Sequence, residues 1–284
     1  MTGPPHLPAS AIHAIPRWDV DTTTKLYDCA NLTGMSEPER DLIPLLRGMA
    51  DTSDSALAIL KYIPKRAPKR AASQPRALTL QAGFIPPCLP MQAPSPPSGP
   101  LWLHEMKHDG IRIIARKDDR GVRLYNRTGH DLSQRYPLIA EAMARLPSCT
   151  IDGEAIVCDE NGVPSFDLLY SRRRDERAFL YAFDLIELNG EDRRREPLTD
   201  RKAELKRLVA ELGIGVLANQ SIDGDECDGA TVFAYACGRG LEGIVSKRKD
   251  SRYVAGRSPY WLTMKNPASE AARRSAAIFE DVVG

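Results

Sequence analysis

The sequence predicts an α+β fold, antiparallel β-sheets with helices on their outer faces, and three observations carry that reading. Two strand-like runs, Ile111 to Arg116 and Val122 to Asn126, flank Asp118-Asp119-Arg120-Gly121, which reads as a hairpin. A long strand-like run, Arg177 to Leu188, closes on the turn pair Asn189-Gly190. Helical stripes alternate with these strands. Ile139, Ala142, Met143 and Leu146 share one face, and Leu205, Leu208, Val209 and Leu212 share another, in a helix expected to be capped by Asp200 and stopped by Gly213.

The other elements follow in order. Thr150 to Cys158 reads as a strand ending at the turn signal Asn161-Gly162, and Ala230 to Cys237 as a helix. Gly243 to Lys247 and Tyr260 to Lys265 read as short strands, and no internal repeat is present. The compact unit is expected over residues 101–267, followed by a tail over 268–284. Before it the texture changes. Residues 1–63 show helical spacing in parts, at Leu42, Leu45 and Leu46 and again at Leu57, Leu60 and Ile63, and form a poorly defined segment. Residues 64–100 are rich in Pro, Ser, Ala and basic pairs such as Lys65-Arg66 and Lys69-Arg70, a composition that cannot bury a core and reads as linker.

Composition bounds the function classes. With 42% apolar and 27% charged residues over 284 positions, the chain is globular, with length for about two domains. No run of 18 apolar residues is present, so no helix is expected to span a membrane, and the proline-rich N-terminus lacks the apolar core of a secretory signal. Six cysteines without a C-x-x-C pair read as free thiols in a reducing cytosol. The net charge is +1, so any polyanionic partner must be met by local patches, for which Arg172-Arg173-Arg174 and Arg193-Arg194-Arg195 are candidates.

The sharpest chemical feature is Glu105-Met106-Lys107-His108-Asp109-Gly110-Ile111-Arg112. Lys-x-Asp-Gly alone is a weak signal, expected by chance in roughly one chain in twenty of this length. A functional reading makes Lys107 a nucleophile, which requires a neutral amine and so a pKa lowered by burial or by neighbouring positive charge such as Arg112 or a metal. Gly238-Arg239-Gly240-Leu241-Glu242-Gly243 spells G-x-G-x-x-G, but a helix-like stretch precedes it and a strand follows, the reverse of a dinucleotide-binding site.

Order raises the odds for Lys107. Arg127-Thr128-Gly129, Asp152-Gly153-Glu154, Phe183-Asp184, Glu242-Gly243-Ile244-Val245-Ser246-Lys247 and Trp261-Leu262-Thr263-Met264-Lys265 follow it in sequence. This ordered set resembles the adenylation domain of ATP-dependent DNA ligases, within the covalent nucleotidyltransferase superfamily, and is similar to the ligase domain of bacterial end-joining enzymes. The resemblance covers about residues 84–267 and implies a nucleotidyltransferase, ATP-grasp-like fold. It implies that Lys107 attacks the α-phosphate of ATP and carries AMP. Arg112 and Arg127 would lie near the ribose and phosphates, Glu154 would meet the ribose or a metal, and Glu242 would bind metal. Phe183 would stack on adenine, Lys247 and Lys265 would lie near phosphates, and Glu105 would meet the adenine edge. Hard carboxylate oxygens suit Mg²⁺ or Mn²⁺. The implied partners are nicked or broken duplex DNA and end-joining proteins or an OB-fold protein acting in trans, with no membrane, in a cytoplasmic and nucleoid-associated setting.

Two departures from the resemblance bear on activity. Thr263 stands where the family pattern Trp-x-Lys-x-Lys has its first lysine, which removes one phosphate cation. Only 19 residues follow Lys265, too few for the OB-fold barrel into which the ligase pattern continues, so a chain without that domain and slow in its first step is expected. The alternatives are an RNA ligase of the same superfamily, separated by preference for a ribose 2′-hydroxyl at the nick, and a non-catalytic module that binds nucleotide or DNA ends.

Overall fold

The computed structural model describes residues 83–159, 164–172, 174–212 and 215–274. The helical spacings within 20–63, the first part of the expected linker with its basic pairs, the Asn161-Gly162 turn, Arg173, Gly213 and the tail beyond 274 lie outside the described residues.

Two sheets face one another. The first has strand order β1-β11-β10-β2-β9: β1 (Cys88–Gln92), β11 (Gly256–Lys265), β10 (Gly243–Arg248), β2 (Trp102–Met106) and β9 (Ile222–Asp223). The second runs β4-β3-β5-β6-β7: β4 (Gly121–Asn126), β3 (Ile111–Asp118), β5 (Cys149–Ile156), β6 (Phe179–Leu188) and β7 (Glu191–Asp192), with β8 (Val216–Ala218) also paired to β6. Most pairs are antiparallel, as expected from the hairpins. The exceptions are β1 with β11 and β6 with β8, which are parallel. Strand β1 arises inside the stretch read as linker. Its Pro90 offers no N–H to a ladder, which an edge strand tolerates.

Turn chemistry explains the second sheet. The β3–β4 reversal ends on Gly121 at φ 109°, and the β6–β7 hairpin uses Asn189 and Gly190 at φ 52° and 82°, the left-handed pair that a tight hairpin requires. Helix α1 (Pro137–Ala144) begins with proline, whose missing N–H costs nothing there, and buries Leu138, Ile139, Ala142 and Met143. The short α2 (Phe166–Tyr170) follows β5. In α3 (Leu198–Val209) the predicted stripe is inward, but Pro197, not Asp200, occupies the N-cap; Asp200 lies in the first turn, where its charge suits the helix dipole. Helix α4 (Gly229–Gly238) is capped by Asp228, which accepts from the N–H groups of Ala230 and Thr231.

Three layers of core result. Helices α1, through Ile139 and Met143, and α3, through Leu205 and Val209, cover the outer face of the second sheet over Ile113, Ile151 and Leu180. Helix α4 covers the outer face of the first sheet over Met106, Ile244 and Met264. Between the sheets lie Leu103, Ile114, Phe183, Tyr253 and Trp261. Trp261 is 1% exposed; burying about 200 Å² of such a ring contributes roughly 5 kcal/mol towards holding the two sheets together. The described cysteines, Cys88, Cys149, Cys158, Cys227 and Cys237, are free thiols. Among the described residues no helix is long and apolar enough to cross a membrane.

Candidate active site

The inward faces of the two sheets carry the polar residues, and strand register decides which ones meet. On the first sheet Val245 pairs with both Glu105 and Thr263, and Lys247 with Trp261, so these side chains share one face. On the second, Arg112 pairs with Glu154 and Ile114 with Asp152, again on one face. The alternation of strand side chains thus directs two acids of the Asp152-Gly153-Glu154 run inward together.

Lys107 follows β2 directly, its N–H donating to the Gly243 carbonyl at 2.9 Å. Its Nζ donates to Glu242 Oε2 at 2.6 Å, with side-chain exposures of 21% and 10%. Burial alone would lower the Lys107 pKa, but the carboxylates of Glu154, Glu242 and Asp109 outweigh it and hold the ammonium above its ordinary value. That is the opposite of the lowered pKa expected from the sequence. Arg112 does not supply the expected positive field, because Asp152 neutralises it through two bonds of 2.6 Å, from Nε and Nη2. Arg112 Nη2 also donates to the Cys88 carbonyl, and the Tyr253 hydroxyl donates to Asp152 at 2.7 Å.

Glu105 is 2% exposed and accepts from Lys202 at 2.7 Å, Lys247 at 2.8 Å and Asn219 at 3.1 Å. Burial would raise its pKa, but Lys202 and Lys247 hold it below the ordinary carboxylate value. Lys247 is itself buried, with Nζ 4.2 Å from the Phe183 ring centroid and 4.1 Å from that of Trp261. Arg112 lies 4.4 Å from the Phe183 ring, so the ring expected to receive a base is in contact with two cations.

The structure therefore gathers Lys107, Glu242, Glu154, Arg112, Phe183, Lys247 and Glu105 into one connected group between the two sheets. Lys265 is exposed at the end of β11 opposite Gly243, the residue next in sequence to Glu242. Arg127 is exposed in the turn after β4 and, among the described residues, makes no side-chain contact with this group. The Arg193–Arg195 cluster is largely self-neutralised: Arg193 pairs with Glu191, Glu196 and Glu204, and Arg194 with Asp192.

Several supporting residues have no local motif. Arg201 and Asp184 are both fully buried, joined by bonds of 2.7 and 2.8 Å, while Arg201 Nη1 donates to the carbonyls of Glu196 and Ser251. Asp184 adjoins Phe183, so this pair ties α3 to the strand that carries the aromatic. Lys202 and Asn219 reach Glu105 from α3 and from the end of β8, separations that no short pattern signals. Gly243 has φ 136°, and a Cβ there would overlap the Met264 carbonyl oxygen; this glycine lets Glu242 turn onto Lys107.

Residues 97–265 match the family described as the ATP dependent DNA ligase domain. The chain belongs to this ligase family. Among curated relatives, the multifunctional non-homologous end joining protein LigD of Pseudomonas aeruginosa is 36% identical over 187 residues, 64% of this chain and 22% of the relative. The corresponding LigD of Mycobacterium tuberculosis (H37Rv) is 37% identical over 158 residues, 55% of this chain and 20% of the relative. The SPbeta prophage-derived DNA ligase-like protein LigB of Bacillus subtilis is 31% identical over 64% of this chain and 68% of its own length. This ligase-family chain thus spans about a fifth of the multifunctional relatives it matches. Among solved structures, mycobacterial DNA ligase D complexed with ATP and MES superposes with a TM-score of 0.57 at 33% identity, covering 64% of this chain and 60% of that one. The ligase domain of M. tuberculosis LigD gives 0.56 at 34%, over 64% and 60% of the two chains.

Proposed function

We propose that this chain is the adenylation core of an ATP-dependent DNA ligase, with Lys107 as the nucleophile. The observation that carries the reading is the Lys107–Glu242 contact, with the Glu154 carboxylate close enough to act on the same amine. The Lys107 amine, once neutral, attacks the α-phosphorus of ATP; a phosphorus–nitrogen bond forms, the bond to the bridging oxygen breaks, and pyrophosphate leaves with that electron pair. The surplus ammonium protons pass to solvent. An oxygen of a 5′-phosphate at a DNA break then takes AMP from Lys107, and the facing 3′-hydroxyl displaces AMP to seal the strand.

Each residue's part follows from its charge and position. Phe183 offers a flat face to adenine once Lys247 or Arg112 moves aside, and Glu105 accepts from the base edge. Lys247 and Lys265 meet phosphate oxygens, and Arg127, exposed in the turn after β4, meets the 5′-phosphate of the broken strand. Fixed cations of this kind stabilise charge that grows on the phosphate in the transition state. Glu242 and Glu154 would hold a divalent cation. Among the described residues no cluster of three or more His, Cys, Asp or Glu side chains could hold a metal ion, but two carboxylates completed by phosphate oxygens suit Mg²⁺ or Mn²⁺. When bound, such an ion neutralises the carboxylates that hold Lys107 protonated and stabilises the departing pyrophosphate. Broken duplex DNA is the proposed substrate and end-joining proteins the proposed partners, in the cytoplasm near the nucleoid.

Glu242→Gln should reduce sealing of a singly nicked DNA duplex, with ATP and Mg²⁺, by roughly 10²–10³-fold, the scale of losing one transition-state charge contact. A wild-type rate in that variant would remove Glu242 from the chemistry. Efficient sealing only when the nick carries a 3′-terminal ribonucleotide would replace DNA by RNA as the substrate.

A further inference from the structure

The Lys107 loop is four residues long, Lys107 to Gly110, and each is anchored separately. Lys107 is held through its backbone to Gly243 at 2.9 Å. The His108 ring stacks on Tyr181 at 4.3 Å and 19°, and its Nε2 lies 2.9 Å from Asn219 Oδ1. Gly110 donates its N–H to Glu154 Oε1 at 3.3 Å, and a Cβ there would strike the Ala155 carbonyl oxygen. The core supplies these three anchors. The fourth, on Asp109, comes from elsewhere.

Beyond Lys265, where the family match ends, the chain makes a tight turn rooted in the protein. Asn266 and Ser269 are each 2% exposed. Asn266 donates its backbone N–H to the Glu242 carbonyl and its Nδ2 to the Leu241 carbonyl, both at 2.9 Å. The Ser269 hydroxyl donates to the Asn266 carbonyl at 2.8 Å and accepts from the Ala272 N–H at 3.2 Å, so it caps the helical turn 270–274. That turn delivers Arg274, whose Nη2 donates to Asp109 Oδ2 while its guanidinium lies 4.8 Å from the Phe166 ring. The other carboxylates beside it, Asp167 at 3.9 Å and Glu270 at 3.8 Å, are exposed and too distant for hydrogen bonds.

One short segment therefore holds both sides of the nucleophile: Asn266 fixes the backbone that presents Glu242, and Arg274 fixes Asp109. We propose that Arg274 is a positioning residue for Lys107 and that the turn 266–274 is a working part of the adenylation site. The proposal rests on the ligase reading above. Arg274 acts on Asp109 and contacts none of Lys107, Glu154 or Glu242, so its signature is a slower reaction at unchanged nucleotide affinity.

The test uses the full chain and α-labelled ATP. Arg274→Gln should lower the saturating rate of labelled-protein formation about tenfold, since displacement of a reacting group by a fraction of an ångström costs on this scale. The ATP concentration at half-maximal rate should stay within about twofold, and Arg274→Lys should restore most of the rate. An unchanged rate, or a loss confined to low ATP, would overturn the proposal. Should Arg274→Gln fail to fold, Ser269→Ala, which loosens the turn and leaves Arg274 in place, carries the same comparison. If the wild-type chain takes no label, the ligase reading fails by itself, and amide exchange then decides. Faster exchange at 107–110 in Arg274→Gln would support the anchoring, and unaltered exchange would refute it.

Discussion

Arg201→Leu is expected to lower the folding stability by roughly 3–5 kcal/mol, because it leaves Asp184 as a buried carboxylate without its hydrogen-bonded partner. Both side chains are fully buried, so neither water nor a rearranged surface lysine reaches Asp184 in the folded state. The same change strips a donor from the carbonyls of Glu196 and Ser251. For a domain of this size the melting temperature should fall by about 10 °C. The double variant Arg201→Leu, Asp184→Leu should recover much of the loss, since it leaves no buried charge behind. Denaturant midpoints of the single and double variants measure this directly. A single variant within about 1 kcal/mol of wild type would mean that the pair is hydrated or broken in solution.

Lys107→Arg should abolish the covalent intermediate while leaving the fold intact. An arginine can still pair with Glu242, but its guanidinium stays protonated at any accessible pH and cannot attack phosphorus. The expected loss in adenylation is about 10⁴-fold or more, the scale seen when a covalent nucleophile is removed. The charge state of Lys107 adds a pH dependence in the wild-type chain. Burial opposes it, but Glu154 and Glu242, when no cation screens them, raise its pKa above the ordinary lysine value, so the adenylation rate should climb through the alkaline range, most steeply at low Mg²⁺. A rate independent of pH from neutrality upward would mean that the lysine is already neutral when ATP is bound.

Much of this arrangement is legible in the sequence because it rests on local signals. The Asp118–Gly121 reversal, the Asn189-Gly190 hairpin and the Ile139 and Leu205 stripes are set by residues within a few positions of one another. The motif order places Lys107, Glu154, Phe183 and Glu242 in one site through resemblance. The parts not read from sequence depend on long-range register. Strand β1 sits in a proline-rich stretch and exists because β11 offers it a parallel edge. The neutralisation of Arg112 by Asp152 follows from the inward alternation of β5 and from the two-residue offset between their strand partners. Lys202, Asn219 and Arg201 converge on the site from α3 and from beyond β8, and Arg274 from beyond the last motif, so nothing in their immediate neighbours announces them. The charge of Lys107 escapes the sequence for a related reason: Glu154 and Glu242 are distant in sequence, and only the fold sets both against one amine.

Lys107 as the site of covalent adenylation is tested most directly by incubation of the folded chain with α-labelled ATP and Mg²⁺ or Mn²⁺, followed by a denaturing gel, with Lys107→Ala alongside. A labelled protein band is expected in the wild-type lane and not in that of the variant. No band from folded wild-type protein, or a band that persists without Lys107, would contradict that role.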